Sequence, residues 1–182
     1  MGEIFAYEIS KTLSYETRQI QTPFGIADED LLIESPIIVS LLRAGLPIHQ
    51  GMLNIFDRSN NGFITSYRVH DKEDDSFQVK LEYITCPDIN KKVLILADAL
   101  IASGSTIELA YKALLQKGTP EHTHIVALIA SKEGISRIRK LLSHRKITFW
   151  LGAIDDELTV KSYVVPGLGD AGDLAFGEKA SI

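Results

Sequence analysis

Cysteine, tryptophan and long apolar runs are scarce in this chain of 182 residues, which contains one cysteine and one tryptophan. The lone Cys86 excludes a disulfide within the chain and fits a reducing compartment such as the cytoplasm. No apolar stretch approaches the roughly 18 residues that a membrane-spanning helix needs. The first residues also lack the basic segment of a secretory signal. These absences favour a cytoplasmic protein with no membrane partner.

The charge balance is modest and slightly acidic. The chain has 19 basic and 24 acidic residues, for a formal net charge of −5. Because there is no basic excess, we expect no nucleic-acid partner, and an anionic ligand must meet positive charge that is concentrated locally. The hydrophobic content of 45% is ordinary for a globular protein, and we predict one domain over residues 1–182.

The most informative stretch joins an apolar run to a helical pattern. Residues 93–97, Val-Leu-Ile-Leu-Ala, are typical of a strand buried on both faces. Asp98 ends this run, and a loop of small and hydroxyl residues follows. From Ile107 onward, apolar residues recur at helical spacing. The stretch therefore predicts a strand, a tight turn and a helix.

The turn between that strand and that helix has the composition of an anion site. The first turn of a helix offers unpaired backbone N–H groups and partial positive charge from the helix dipole. Gly104 allows close approach to the backbone, and Ser103, Ser105 and Thr106 add hydroxyl donors. These groups suit a phosphate, whereas Asp98 at the strand end suits ribose hydroxyls. The alternative is an ordinary strand–helix turn capped by a serine.

A second buried strand ends in a residue of opposite charge. Residues 37–42, Ile-Ile-Val-Ser-Leu-Leu, are followed by Arg43, Ala44 and Gly45, and a proline then stands in the first turn of a predicted helix. An arginine at the carboxyl end of a buried strand suits an anionic ligand. The alternative is a surface residue at the end of the strand.

Strands and helices alternate along most of the chain. Residues 123–130 and 147–154 are typical of further strands, and a helix is predicted to begin at Ser131 between them. This alternation predicts an α/β fold with a doubly wound, mainly parallel sheet flanked by helices. If strands 37–42 and 93–97 are parallel neighbours, Arg43 and the 103–106 turn face one crevice.

Residues 61–84 predict a β-hairpin arm within this domain. Its strands cover residues 62–69 and 77–84, with polar residues between them and Arg68 near the end of the first strand. The arm is either a solvated hairpin or a mobile hood that closes over a ligand and brings Arg68 to it. Composition alone does not distinguish a solvated hairpin from a mobile hood.

The tail, residues 163–177, is rich in glycine and aspartate: Tyr-Val-Val-Pro-Gly-Leu-Gly-Asp-Ala-Gly-Asp-Leu-Ala-Phe-Gly. It matches the sequence pattern Gly-x-Gly-x-x-Gly, which is typical of dinucleotide-binding proteins. We reject that interpretation, because the tail opens no apolar helical pattern and lies outside any strand–helix–strand unit. We predict instead a loop whose backbone groups pair with a small heterocycle, with Asp170 meeting a metal or a hydroxyl.

Three of these motifs together resemble the uracil phosphoribosyltransferases, a type I phosphoribosyltransferase family. The motifs are Leu-Arg-Ala-Gly-Leu at residues 42–46, the loop at residues 98–106, and the tail. The resemblance extends over about residues 5–179. It implies the type I phosphoribosyltransferase fold and a glycosyltransferase that converts uracil and 5-phosphoribosyl 1-pyrophosphate (PRPP) to UMP and pyrophosphate with Mg²⁺, in pyrimidine salvage.

The resemblance also implies roles for individual residues. Arg43, Arg68 and Asp170 would be the catalytic residues, with both arginines on the pyrophosphate and Asp170 on the PRPP–magnesium complex. The same three residues would bind PRPP together with the 98–106 loop, which comprises Asp98, Ala99, Leu100, Ile101, Ala102, Ser103, Gly104, Ser105 and Thr106. The uracil-binding residues would be Val164, Gly169, Asp170 and Ala171, acting largely through the backbone.

The 98–106 loop departs from the usual family pattern, Asp-Pro-Met-Leu-Ala-Thr-Gly-Gly-Ser. Ala99 replaces proline, Ser103 replaces threonine, Ser105 replaces the second glycine, and Thr106 replaces serine. Ser105 thus adds a Cβ where glycine is free to take positive φ. Family members usually carry a segment before the position of Met1 that helps subunits associate. The family also implies a homodimer or homotetramer, and GTP as an effector.

Three functions are compatible with these observations. The first is the uracil salvage enzyme, in which a positioned uracil N1 meets an oxocarbenium-like ribose and no covalent nucleophile is needed. The second is a non-catalytic regulatory protein that binds uracil or UMP on the same fold, which the altered loop favours. The third is a phosphoribosyltransferase for another base, such as orotate or a purine, which the sequence of the tail disfavours.

Overall fold

The structure, a computed structural model, describes residues 1–70 and 77–178. The helices are α1 (Gly2–Ser10), α2 (Leu46–Leu53), α3 (Ser105–Leu114), α4 (Lys132–Leu141) and α5 (Ala171–Phe176). The strands are β1 (Tyr15–Thr22), β2 (Gly25–Leu32), β3 (Ile37–Leu42), β4 (Asn61–His70), β5 (Phe77–Thr85), β6 (Val93–Ala97), β7 (Leu100–Ile101), β8 (His122–Ser131), β9 (Ile147–Asp155), β10 (Glu157–Leu158) and β11 (Val164–Val165). The tip of the predicted hairpin arm, residues 71–76, lies outside the described residues.

Seven strands form the central sheet. Their order is β5-β4-β3-β6-β8-β9, and the short β7 also pairs with β8. Every pairing is parallel except that of β4 with β5, which forms the predicted hairpin. The predicted α/β fold with a mainly parallel sheet is therefore confirmed.

Helices cover both faces of the sheet. On one face α1 and α2 bury Phe5 and Met52, and on the other α3 and α4 bury Tyr111 and Ile138. Because both faces are covered, β3 and β6 are apolar along nearly their whole length, as the sequence indicates. Within the described residues, no helix combines the length and the apolar character that crossing a membrane requires.

Strands β1 and β2 form a hairpin of their own, which does not join the central sheet. The sequence predicts the turn after β1, which Pro23 and Gly25 indicate. It does not predict β2, since Gly25–Leu32 is acidic and lacks a regular apolar alternation. Phe24 in the turn is fully exposed, and Ile26 is 66% exposed.

The tail differs from the prediction of a loop without helical structure. A short helix, α5, begins at Ala171 and spans six residues. Its start depends on Asp170, whose carboxylate accepts a hydrogen bond from the backbone N–H of Asp173 at 3.0 Å. This N-cap stabilises a helix that is too short to show an apolar period in the sequence.

Candidate active site

The carboxyl ends of β3 and β6 lie side by side at one edge of the sheet. The two strands pair in parallel from Ile37 with Leu94 to Ser40 with Ala97. The chain then continues from β3 to β4 on one side and from β6 to β8 on the other, so the gap between the two strands is a topological switch point. The parallel pairing on which the predicted crevice depends is confirmed.

This crevice opens into a cleft of about 550 Å³, within the usual range of small-ligand sites. Four parts of the chain meet around it: the end of β3, the arm strands β4 and β5, the 98–106 loop, and the tail. The lining residues are Leu41, Leu42, Arg43, Ala44, Thr65, Ser66, Glu82, Asp98, Leu100, Thr106, Ser162, Tyr163, Gly169, Asp170, Ala171 and Gly172.

The 98–106 loop forms a small cradle of about 60 Å³ in front of α3, bordered by every loop residue except Ala99. Gly104 takes the left-handed conformation, with φ of +78°, and caps the helix. Ser105 is the first helical residue, so its Cβ stands in an ordinary helical conformation. The Oγ atoms of Ser103 and Ser105 lie 2.9 Å apart in a hydrogen bond. The change from the family's second glycine is therefore compatible with the loop geometry.

Ser131 fastens this loop to α4. Its buried Oγ donates a hydrogen bond to the carbonyl of Ala102 at 2.6 Å and accepts one from the N–H of Gly134 at 2.8 Å. A Cβ on Gly134 would lie 2.2 Å from that carbonyl, so only glycine fits there. The sequence marks Ser131 as a helix start, but nothing local shows a contact with a residue 29 positions away.

Asp98 is the titratable group most strongly affected by the cleft. Its Oδ1 accepts a hydrogen bond from the N–H of Ala99 at 2.7 Å. Burial raises the pKa of the Asp98 carboxyl to about 7, although hydrogen bonds from the backbone of Ala99 and Leu100 oppose the shift. The protonated form that burial favours donates a hydrogen bond, whereas the carboxylate only accepts.

Arg43 follows β3 and is held by the tail. Its Nη2 lies 2.6 Å from Oδ1 of Asp173, and its Nη1 donates to the carbonyl of Gly177 at 3.2 Å. Its Nε is buried and has no hydrogen-bond partner among the residues that the structure describes. The peptide bond between Leu42 and Arg43 is cis. Guanidinium offers five donors, so these contacts leave Arg43 with capacity for an anion.

The tail contributes backbone groups to the wall of the cleft. Gly169 has φ of +80°, and no atom lies within 4 Å of the position that a Cβ would take. Asp170 follows it as the cap of α5. Asp155, at the end of β9, accepts a hydrogen bond from the N–H of Gly167 at 2.9 Å and so connects the tail to the sheet. The acidic residues 155–157 do not form a turn, because Asp155 ends β9 and Glu157 begins β10.

Most of the predicted site residues meet in this region. The cleft brings together Arg43, Asp98, Leu100, Thr106, Gly169, Asp170 and Ala171, and the cradle adds Ile101, Ala102, Ser103, Gly104 and Ser105. Ala99 in the loop and Val164 in β11 are both buried, and neither of them lines the cleft. Arg68 lies in β4, opposite Val79 of β5. The roles assigned to all of these residues stay predictions.

Nine lining residues are not among the site residues predicted from the sequence. They are Leu41, Leu42, Ala44, Thr65, Ser66, Glu82, Ser162, Tyr163 and Gly172. The Oγ1 of Thr65 is buried without a hydrogen-bond partner in the described part of the chain. No spacing pattern marks these positions, because the arm strands and the tail reach the cleft only through the tertiary fold.

Chains of known structure share this architecture. The AQ2163 protein from Aquifex aeolicus superposes with a TM-score of 0.87 at 28% identity, over 97% of this chain and 82% of that one. A hypoxanthine-guanine phosphoribosyltransferase from Bacillus anthracis superposes with a TM-score of 0.55 at 15% identity, over 87% and 76% of the two chains. The second likeness concerns the fold alone. The fold, with its cleft at the strand ends, is that of the type I phosphoribosyltransferases.

Sequence comparison identifies the family within this fold. The family model for uracil phosphoribosyltransferase matches residues 1–178. A uracil phosphoribosyltransferase from Porphyromonas gingivalis is 48% identical over 179 residues, which are 98% of this chain and 82% of the relative. One from Pyrococcus furiosus is 34% identical over 187 residues, covering 100% and 78%. The chain belongs to the uracil phosphoribosyltransferase family, which confirms the resemblance seen in its motifs.

Proposed function

We propose that this protein transfers the phosphoribosyl group of PRPP to uracil, forming UMP and pyrophosphate in pyrimidine salvage. One observation carries the proposal: Arg43, the 98–106 loop and residues 169–171 border the same cleft. A cation for pyrophosphate, a helix start for phosphate and exposed backbone for a base are the three elements that the reaction requires.

The 98–106 loop is suited to the 5′-phosphate and the ribose. The first turn of α3 presents backbone N–H groups and the positive end of the helix dipole, and hydroxyls surround the cradle. A phosphate in the cradle would place the ribose hydroxyls near Asp98, which lines both the cradle and the cleft. A carboxyl group is a good partner for two hydroxyls because it accepts several hydrogen bonds.

Arg43 and Arg68 are assigned to the pyrophosphate. Breaking the bond between C1′ and the pyrophosphate oxygen concentrates negative charge on the leaving group. Each charge-assisted hydrogen bond from a guanidinium stabilises that charge by roughly 1.5–3 kcal/mol. Catalysis is otherwise positional: uracil N1 is held in line with C1′ and bonds to it as the bond from C1′ to pyrophosphate breaks, and the N1 proton passes to the leaving pyrophosphate or to water.

The uracil is assigned to residues 169–171 and to Val164. Uracil presents alternating carbonyl acceptors and an N–H donor, which backbone N–H and C=O groups are able to match. The left-handed φ of Gly169 turns the backbone beside the cleft where no neighbouring atoms crowd it. Such a loop distinguishes bases by hydrogen-bond pattern rather than by charge.

Mg²⁺ is implied by the family and fits the donors present. The carboxylates of Asp98 and Asp170 both line the cleft, and oxygen ligands are those that Mg²⁺ prefers. When bound together with PRPP, Mg²⁺ would neutralise part of the pyrophosphate charge.

The direct experiment is UMP formation by the purified protein from uracil and PRPP, with and without Mg²⁺. We expect magnesium-dependent UMP, and no product when orotate or hypoxanthine replaces uracil. A folded protein that binds UMP but forms none would support the non-catalytic regulatory function. Turnover of another base in place of uracil would support the third candidate.

A homo-oligomer is proposed on the basis of the β1–β2 hairpin. A two-stranded hairpin is marginally stable alone, and this one exposes Phe24 and Ile26. A second copy of the chain that packs against this face would bury the exposed side chains. The expected result is a dimer or tetramer by sedimentation equilibrium, with a shift toward monomer in Phe24→Ser.

Two further expectations concern the regulation and the location of the protein. GTP is proposed as an effector, and a change in UMP formation on adding GTP at a subsaturating PRPP concentration would support it. A cytoplasmic location is proposed because the one cysteine, Cys86, is unpaired in the structure. Fractionation of the producing cell tests the second expectation.

A further inference from the structure

Asp173 has no role among the residues assigned above, yet it makes the shortest contact of Arg43. The distance between Nη2 and Oδ1 is 2.6 Å, and about a third of each side chain is exposed. Asp173 lies in the first turn of α5, where the helix dipole also favours a carboxylate. The pair joins residues that are 130 positions apart.

The contact belongs to a larger arrangement around the guanidinium. Gly177, just after α5, accepts from Nη1 through its carbonyl at 3.2 Å. A Cβ on Gly172 would stand 3.6 Å from Nη2, so the guanidinium lies directly against the backbone at the start of the helix. Arg43 is thus fixed on two of its three nitrogens by one short element.

We propose that Asp173 is a positioning residue: it orients the Arg43 guanidinium for the pyrophosphate of PRPP. The inference rests on the proposed function, because it concerns the role of Arg43 in that reaction. An arginine side chain free in solvent samples many rotamers, and immobilising it on binding costs affinity. The ion pair with Asp173 and the carbonyl of Gly177 remove that cost before the substrate arrives.

The arrangement also connects the two substrate subsites. Asp170 lies in the stretch assigned to uracil and caps α5, whose first turn carries Asp173. One short helix therefore joins the stretch assigned to uracil to the partner of Arg43. The remaining donors of the guanidinium stay available, so pyrophosphate need not displace Asp173.

The test is steady-state kinetics of Asp173→Asn, which keeps the size and removes the charge. We expect the KM for PRPP and the inhibition constant of pyrophosphate to rise about tenfold, as the loss of one pre-oriented side chain implies, while the KM for uracil changes less than about twofold. Asp173→Glu restores the charge and should recover part of the loss. Glu34→Gln is the control, because it breaks an ion pair of similar exposure, with Lys92, at the opposite edge of the sheet.

A double variant separates positioning from a general effect on the tail. In an Arg43→Ala background, Asp173→Asn should raise the KM for PRPP by less than about a further twofold, since the residue that Asp173 positions is gone. An equal loss in both backgrounds, or a change confined to the KM for uracil, would overturn the proposal. If Arg43→Ala leaves the KM for PRPP unchanged, the assigned role of Arg43 fails instead. If that variant is impaired and Asp173→Asn is normal, only the role of Asp173 fails.

Discussion

Asp98 shows how the cleft determines the properties of a single residue. Its carboxyl has a pKa of about 7 in the folded protein, against 3.8 for an ordinary aspartate, because burial disfavours the charged form. The folded state therefore holds a proton that the unfolded state releases between about pH 4 and pH 7. Stability contributed by this residue is lost as the pH rises through that window.

Asp98→Asn should consequently stabilise the protein while impairing catalysis. We expect its free energy of unfolding to exceed that of the wild type by about 1–3 kcal/mol at pH 7.5, and the difference to vanish near pH 4. Denaturant titration at the two pH values measures this. Asp57→Asn, at an exposed turn position, is the control. A difference that does not depend on pH would contradict the burial argument.

Arg43 is the residue on which the charge argument depends. Arg43→Ala should reduce kcat/KM by at least about tenfold, because one charge-assisted contact with pyrophosphate is lost. Arg58→Ala removes an exposed arginine before β4, at the opposite edge of the sheet, and should leave kcat/KM unchanged. Near-normal activity of Arg43→Ala would refute the assigned role.

At the level of single residues, the sequence predicted those that follow a buried strand. Arg43 and Asp98 were identified because an ionisable residue at a strand end is conspicuous. The contacts of Asp173 with Arg43 and of Ser131 with Ala102 were not predicted, because these partners are 130 and 29 positions apart. Contacts at such separations are products of the tertiary fold and leave no local pattern.

At the level of elements, the 98–106 loop and α4 act as one unit. Ser131→Ala removes the cap of α4 and leaves the carbonyl of Ala102 without its donor. We expect a loss of about 1–3 kcal/mol in the free energy of unfolding and a higher KM for PRPP, since the loop loses its anchor. Ser143→Ala, just beyond α4 and exposed, is the matched control. A stability loss without any change in the KM for PRPP would show that the anchor does not affect the loop.

The strands of the core were predictable and the tail was not. Strands β3 and β6 have the predicted bounds, because burial on both faces requires an unbroken apolar run. Helix α5 was missed because it depends on one cap and spans less than two turns. Strand β2 was missed because most of its residues are exposed and therefore show no apolar pattern.

At the level of the whole molecule, the topology of the sheet determines where the candidate site residues lie. The order of the sheet puts the switch point between β3 and β6, and four parts of the chain meet there. A net charge of −5 means that the positive potential needed for PRPP comes from local groups: Arg43, and the start of α3 with its dipole.

Ligand binding should stabilise the whole fold. PRPP with Mg²⁺ at about 100 times its dissociation constant adds about 2.7 kcal/mol, which corresponds to a rise in Tm of about 5–10 °C for a chain of this size. Differential scanning calorimetry measures the shift. Arg43→Ala should show a much smaller rise under the same conditions. Equal shifts in both proteins would place the binding elsewhere.

The most direct test of the account is a crystal structure of the protein with UMP. The account predicts the phosphate of UMP in the cradle of the 98–106 loop, the ribose hydroxyls on Asp98, and the uracil ring against the backbone of residues 169–171. Arg43 should stay paired with Asp173 and face the open position where pyrophosphate leaves. UMP bound outside this cleft, or with its base turned away from residues 169–171, would contradict the assignment of the site.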